Sequence, residues 1–234
     1  MDRAVSTRRR RHGAARDRTR PQRVARPVGR RRRTRPLLTS DPQDELFDLL
    51  DEGGSPLGRT KPRRDVHRDG DWHAAIHVWV VTTAPGSPHL LLQRRSASKD
   101  TWPGRLDVAV GGHLRAGETV ADALREAEEE IGLVLTLAEV TRLGTRFART
   151  VADAECRDNE FQTVFGVVVG RPLASFSPHP EEVDGLVQVP LESAAPVLAG
   201  PEMIPAEDGY HVAVLDRLGA LVNGRAVTPF VVRR

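Results

Sequence analysis

Apolar and polar residues alternate over several short stretches of the chain. Ile76, Val78 and Val80 share one face of an extended segment at residues 75–81, which predicts a strand. A Pro-Gly-Ser-Pro turn at 85–88 leads to Leu90-Leu91-Leu92, its predicted partner strand. Further strands are predicted near 107–110, over 161–169 and over 186–189, the last closed by Pro190. Three helices are predicted. Ser40-Asp41-Pro42 reads as the cap of one, with Leu46, Phe47, Leu49 and Leu50 as its apolar positions. A second occupies about 120–131 and stops at Gly132, a natural residue for the position after a helix. The third covers 206–221 and is interrupted at Gly209. Residues 51–56 and the pair Gly111-Gly112 read as turns, and 96–105 as a loop. Strands mixed with two or three helices predict an α/β (α+β) fold.

Charge divides the chain. Residues 1–37 hold 15 Arg and 2 Asp, a net +13, whereas the remainder holds 20 Lys and Arg against 30 Asp and Glu, a net −10. The first segment is Arg, Pro, Ala and Gly with almost no large apolar side chains, so it is expected to be a disordered Arg-rich tail ahead of one domain at 38–234. Its charge suits salt-sensitive, nonspecific contact with nucleic acid, although no aromatic residues are interleaved to stack on bases; a dispensable extension is the plainer reading. No apolar run approaches the ~20 residues of a membrane helix, and no secretory h-region is found. Cys156 is the only cysteine, which excludes an intramolecular disulfide and favours a reducing, cytoplasmic setting.

Chemistry concentrates at residues 111–133. At ~100° per residue, Glu130 lies about 40° and Glu129 about 300° from Glu126, so three carboxylates share one helix face. Leu124, Ala127 and Ile131 fall on the opposite, core-facing side, and Glu128 points away from the cluster. Like charges at these spacings repel, and a hard cation such as Mg²⁺, bound by carboxylates and substrate phosphates, would compensate. Arg125 is placed to hold one of the carboxylates by a bidentate bond. A solvated acidic surface is the alternative reading of such a run.

These residues resemble the Nudix box, G-x5-E-x7-R-E-U-x-E-E-x-G-U with U aliphatic. Gly112, Glu118, Arg125, Glu126, Glu129, Glu130, Gly132 and Leu133 occupy its fixed positions. Two departures stand out: Ala127 fills an aliphatic position, and only six residues, 119–124, separate Glu118 from Arg125. A deletion before the helix would leave the metal face intact, and one within it would rotate Glu118 by ~100°. Glu52-Gly53, residues 67–73, Arg94 to Lys99 and Trp102-Pro103-Gly104 are similar to the isopentenyl-diphosphate isomerase branch, and the likeness covers residues 41–195.

The resemblance implies a Nudix α/β/α sandwich with a mixed sheet, and a Mg²⁺-dependent (or Mn²⁺-dependent) hydrolase of a nucleoside diphosphate derivative or other organic diphosphate. It implies metal ligation by Glu126, Glu129 and Glu130 with the Gly112 carbonyl, and with Glu118 as a further acid. Glu129, Glu130 and Glu160 are the implied proton acceptors, with Arg125 supporting them. Arg95 and Lys99 match positions that contact a diphosphate. A second metal site of the isomerase branch would correspond to His67, His73, His113, Asp158 and Glu160, the first histidine lying one residue out of register. The isomerase also carries a cysteine where Gly111 stands, so isomerase chemistry would lose an acid/base partner here. A noncatalytic nucleic-acid-binding module is opposed by three mutually repelling carboxylates. Glu181-Glu182 reads as solvent-facing, Trp102 and Pro103 as shaping the pocket, and Tyr210, the only tyrosine, offers no base-stacking pair.

Overall fold

A computed structural model describes residues 41–84, 86–151 and 156–233. The expected tail at 1–37 and Pro85 of the predicted turn lie outside them.

The helix expected after Ser40 is instead a strand, β1 (Leu46–Leu50). Its burial alternates, with Phe47 and Leu49 inside, which is the period of a strand and not of a helix. It pairs antiparallel with β2 (Pro56–Pro62), and Leu50 meets Trp72 across the sheet. Asp41 caps no helix: its carboxylate accepts from the Asp100 amide and from Lys99 Nζ, both at 2.9 Å. The turn at 51–55 is as expected, with the Asp51 carboxylate accepting from the amides of Gly53 and Ser55.

A short helix, α1 (Arg63–Asp69), follows Pro62 and ends at Gly70 in the left-handed conformation. Then come β3 (Trp72–Thr82), β4 (His89–Arg95), β5 (Leu106–Val108) and β6 (Val110–His113). The acidic segment forms α2 (Val120–Ala123) and α3 (Arg125–Ile131), separated at Leu124. The rest of the domain adds β7 (Thr141–Val151), β8 (Arg157–Val169), β9 (Val183–Pro190), α4 (Ala195–Leu198), α5 (Tyr210–Val222) and β10 (Phe230–Arg233).

The strands form one mixed sheet with the order β10-β7-β8-β3-β1-β2, from which β4 and β6 branch at β3. The central pair β3 and β8 is parallel over its length, from Trp72 beside Asn159 to Thr82 beside Val169. Alternate residues of β3 enter two different cores, as the strand period requires. Ile76, Val78 and Val80 pack with Leu124, Ala127 and Ile131 beneath α3. Trp79 and Val81 pack with Tyr210, Val214 and Leu218 of α5 on the other face. Burying a Leu or Ile side chain stabilises by about 1.5–3 kcal/mol, so the apolar side of α3 fixes its carboxylates above the sheet. The result is the expected helix–sheet–helix sandwich. Among the described residues no helix is long and apolar enough to cross a membrane.

Two glycine positions behave differently from one another. Gly132 ends α3 at φ 69, ψ 30, the conformation its residue type permits without strain. Gly111 and Gly112, expected in a turn, lie within β6 and have no positive φ. Gly112 is required for space, because a Cβ there would collide with the Glu126 side chain. The interruption expected at Gly209 is the start of α5, which that glycine caps at φ 79.

Candidate active site

Of the three carboxylates predicted to share a helix face, Glu126 and Glu129 share Arg125 as counterion, whereas Glu130 turns inward to Gln93 and the Gly111 amide. Arg125 Nη1 donates to Glu126 Oε1 at 2.6 Å and to Glu129 Oε2 at 2.8 Å. Its Nε and Nη2 grip Glu118 at 2.8 and 3.1 Å. The bidentate partner is therefore Glu118, which stays with the cluster despite the shortened spacing. Between Glu118 and Arg125 the helix is broken at Leu124, where α2 stops and α3 starts anew. Thr119 and Asp122 form a capping box that holds the start of α2 next to Glu118.

Burial separates the acids. Glu129 is half exposed, Glu126 is partly buried and Glu130 is buried. Burial pushes Glu126 up to about 7, with Arg125 opposing and Glu129 reinforcing the shift. Glu130 is pushed up to about 8 by burial and by the neighbouring Glu126 charge. Its Oε2 accepts from Gln93 Nε2 at 3.1 Å and from the Gly111 amide at 3.2 Å. Burial would also raise Glu118, but the hydrogen bonds from Arg125 and the Arg115 amide leave it below its ordinary value. Two adjacent carboxyls that resist ionisation mark a place where a cation is favoured.

A second cluster lies beside the first. α1 supplies His67, β3 His73, β6 His113 and β8 Asp158, whose ligand atoms lie within 4.8 Å of one another. His67 Nε2, His73 Nε2, His113 Nε2 and Asp158 Oδ1 are all buried without a hydrogen bond. Phe47 stacks under two of the rings, at 5.1 Å from His73 and 4.9 Å from His113. His73 Nδ1–H donates to the Asp71 carbonyl at 3.1 Å, its Nε2 stands 3.4 Å from Asp158 Oδ1, and, against burial, that carboxylate holds the ring above its ordinary pKa. Burial pushes His67 down to about 3, a neutral ring suited to ligation. His67, His73 and Asp158 thus fit a divalent metal as they stand. His113 differs: Arg63 donates to its Nδ1 at 3.0 Å, which places a neutral ring's proton on Nε2, toward Glu160 Oε1 at 3.1 Å.

Both clusters open onto a cavity of about 410 Å³. Arg95 and Lys99 line it, as predicted. Arg95 is bonded to Thr101 and to Asp107, the latter at 3.2 Å, while Lys99 binds Asp41 and Glu182. Glu182 is thus a cavity residue and not solvent-facing, because the backbone after His179 turns its side chain to Lys99. Trp102 sits at the rim with φ 50, the one non-glycine positive φ among the described residues, at a cost of about 1–2 kcal/mol. Nine carboxylates and five Lys or Arg side chains line the cavity.

Sequence reasoning missed Arg63, Asp41, Asp100, His77, Arg146 and Tyr210. Arg63 is buried and bound to Asp100 at 3.3 Å beside the histidines. For His77 a signal existed: it shares a strand face with His73 and Trp79 at a period of two. Tyr210 joins that group only through the packing of α5.

The NUDIX domain profile matches residues 71–208. Nudix hydrolase 3 of Arabidopsis thaliana is 40% identical over 153 residues, which is 64% of this chain and 20% of that protein. This chain therefore spans about a fifth of the length of that relative. An isopentenyl-diphosphate Delta-isomerase of Clavibacter sepedonicus is 36% identical over 157 residues, 66% of this chain and 78% of the isomerase. The crystal structure of the Deinococcus radiodurans protein DR0079 covers 73% of this chain and 98% of its own at a TM-score of 0.52 and 20% identity, a likeness of fold. With its box residues gathered on α3 and its sequence matched across the sandwich, the chain belongs to the NUDIX domain family.

Proposed function

We propose that the protein is a divalent-metal-dependent hydrolase of a diphosphate linkage in a nucleoside diphosphate derivative or other organic diphosphate. The observation that carries the reading is the pairing of partly buried Glu126 with buried Glu130, both raised above the usual carboxylate range, at the wall of a cavity with an excess of carboxylates. Such an excess favours bound cations, and a polyanionic substrate would then enter with them. Glu126, Glu129 and Glu130, with the Gly112 carbonyl, would hold Mg²⁺ or Mn²⁺, which would supply polarisation of a phosphoryl oxygen and a water of lowered pKa.

The chain's own residues do the rest. Arg125 holds Glu118, Glu126 and Glu129 in one orientation. Arg95 and Lys99 clamp the diphosphate, since phosphoryl transfer depends mainly on positioning and electrostatic stabilisation. Glu129, Glu130 or Glu160 accepts the proton of the attacking water. His67, His73 and Asp158 would hold a second metal ion.

An isomerase reading draws support from the histidine cluster. Gly111 opposes it, having no side chain to protonate a double bond. The test is product release from a diphosphate panel that includes nucleoside derivatives and isopentenyl diphosphate, with Mg²⁺, Mn²⁺ or EDTA. Metal-dependent release of phosphate or a monophosphate is expected. Isomerised isopentenyl diphosphate without hydrolysis would replace this reading with the isomerase.

A further inference from the structure

His77 lines the cavity and pairs with Gly111 across β3 and β6. Its Nδ1 lies 2.7 Å from the Tyr210 hydroxyl, and Trp79 Nε1–H donates to that same oxygen at 2.8 Å. An indole nitrogen only donates, so the phenol accepts from Trp79 and must place its own proton elsewhere. Tyr210 is buried, and His77 Nδ1 is the one acceptor its hydroxyl reaches among the described residues. A buried hydroxyl without an acceptor is costly, so Nδ1 accepts. The remaining ring proton of the neutral imidazole therefore sits on Nε2.

That nitrogen has no protein hydrogen-bond partner among the described residues. A Cβ at Gly111 would lie 3.7 Å from His77 Cδ2 and 3.9 Å from Nε2, so the glycine leaves this ring edge uncovered. The Gly111 amide also donates to Glu130, and His77 and Glu130 line the same cavity. Burial keeps the ring below its ordinary pKa and uncharged, although Asp107 and Glu160 oppose the shift.

We propose that His77 is a substrate-binding residue whose Nε2–H donates to an oxygen of the diphosphate held at the acidic helix. Tyr210 is the positioning residue that fixes the tautomer. For the nature of the ligand this rests on the proposed hydrolase reading; the tautomer stands on its own geometry.

The test combines ¹⁵N NMR of histidine-labelled full-length protein with kinetics of variants, the His77 signals being assigned by their loss in His77→Gln. The free protein is expected to show the Nε2–H tautomer. Methylenediphosphonate with Mg²⁺ should move the Nε2 signal, and Tyr210→Phe should give averaged signals of both tautomers. His77→Phe and, separately, Gly111→Val, which covers the ring edge, should each lower kcat/KM by about 10- to 100-fold, the range for a hydrogen bond to a charged oxygen. His77→Gln, which keeps a donor near Nε2, should recover most of that loss. An Nδ1–H tautomer in the free protein overturns the inference. So does a probe that binds by calorimetry without moving the Nε2 signal, or unchanged kcat/KM in Gly111→Val. Failure of the probe to bind at all counts against the hydrolase reading and the ligand named here, and leaves the tautomer assignment to be judged by its own signal.

Discussion

At the acidic helix three of the carboxylates share a cation built into the chain, whereas at the histidine cluster the buried ligand atoms of His67, His73 and Asp158 converge without a hydrogen bond. Arg125 bridges Glu118, Glu126 and Glu129, so the repulsion among those three is compensated, while Glu130 lies outside its contacts. The facing atoms of His67, His73 and Asp158 have only one another, while His113 lies between Arg63 and Glu160, and each unsatisfied buried polar atom costs about 1–3 kcal/mol. The difference separates a site in which a metal must compete with a guanidinium from one in which a metal would relieve a standing cost.

The largest effect expected from breaking this contrast is on turnover. Glu126→Gln should lower kcat by about 10²–10³-fold, the scale of losing a preorganised electrostatic contact, while circular dichroism shows the fold intact. A rate near wild type would remove the acidic helix from the chemistry.

His67→Ala should lower divalent-metal affinity at the histidine cluster by at least about tenfold, the lower end of effects seen even for residues behind a ligand. Equilibrium dialysis should then count one fewer tightly bound ion per chain, with the acidic-helix ion retained. Equal stoichiometry in the two proteins would mean that the histidines hold no metal.

Lys99→Ala should raise KM about tenfold with a smaller change in kcat, as expected of a charge-assisted contact to substrate. An unchanged KM would restrict Lys99 to its ion pairs with Asp41 and Glu182.

A subtler effect concerns pH. Glu126 and Glu130 are raised in the fold from 4.5 to about 7 and about 8, so the unfolded chain gives up these protons first. Their stabilising contribution is complete below about 4.5 and is lost as the pH rises through 7 and then 8. The metal-free protein should therefore melt lower at pH 8.5 than at pH 5.5, and Glu130→Gln should flatten that fall. A fall as steep in the variant would place its cause elsewhere. The smallest effect should follow deletion of residues 1–37: turnover stays at the wild-type level in assays at fixed salt, and a large loss would make that segment part of the site.

The same contrast explains what the sequence could reveal. Glu118 to Leu133 is one contiguous run, so helix geometry alone brought its carboxylates together and placed Leu124, Ala127 and Ile131 against the sheet. β3 was equally readable, because its alternation has a period of two. β1 was misread because Leu46, Phe47, Leu49 and Leu50 fit either period, and only pairing with β2 and β3 decides between them. Gly111-Gly112 looked like a turn because glycine allows positive φ, yet Gly112 is needed for its missing side chain. The histidine cluster draws on four elements, and no local pattern links them; the family resemblance pointed to those residues. Glu182 and Arg63 gained their surroundings only from tertiary packing.

Hydrolysis in H₂¹⁸O, with the products analysed by mass spectrometry, tests the central claim most directly. The account predicts one ¹⁸O per turnover in a phosphate-containing product when Mg²⁺ or Mn²⁺ is present, and no labelled product with EDTA or in Glu126→Gln. Turnover of a diphosphate to an unlabelled, isomerised product, or equal labelling with EDTA, would contradict it.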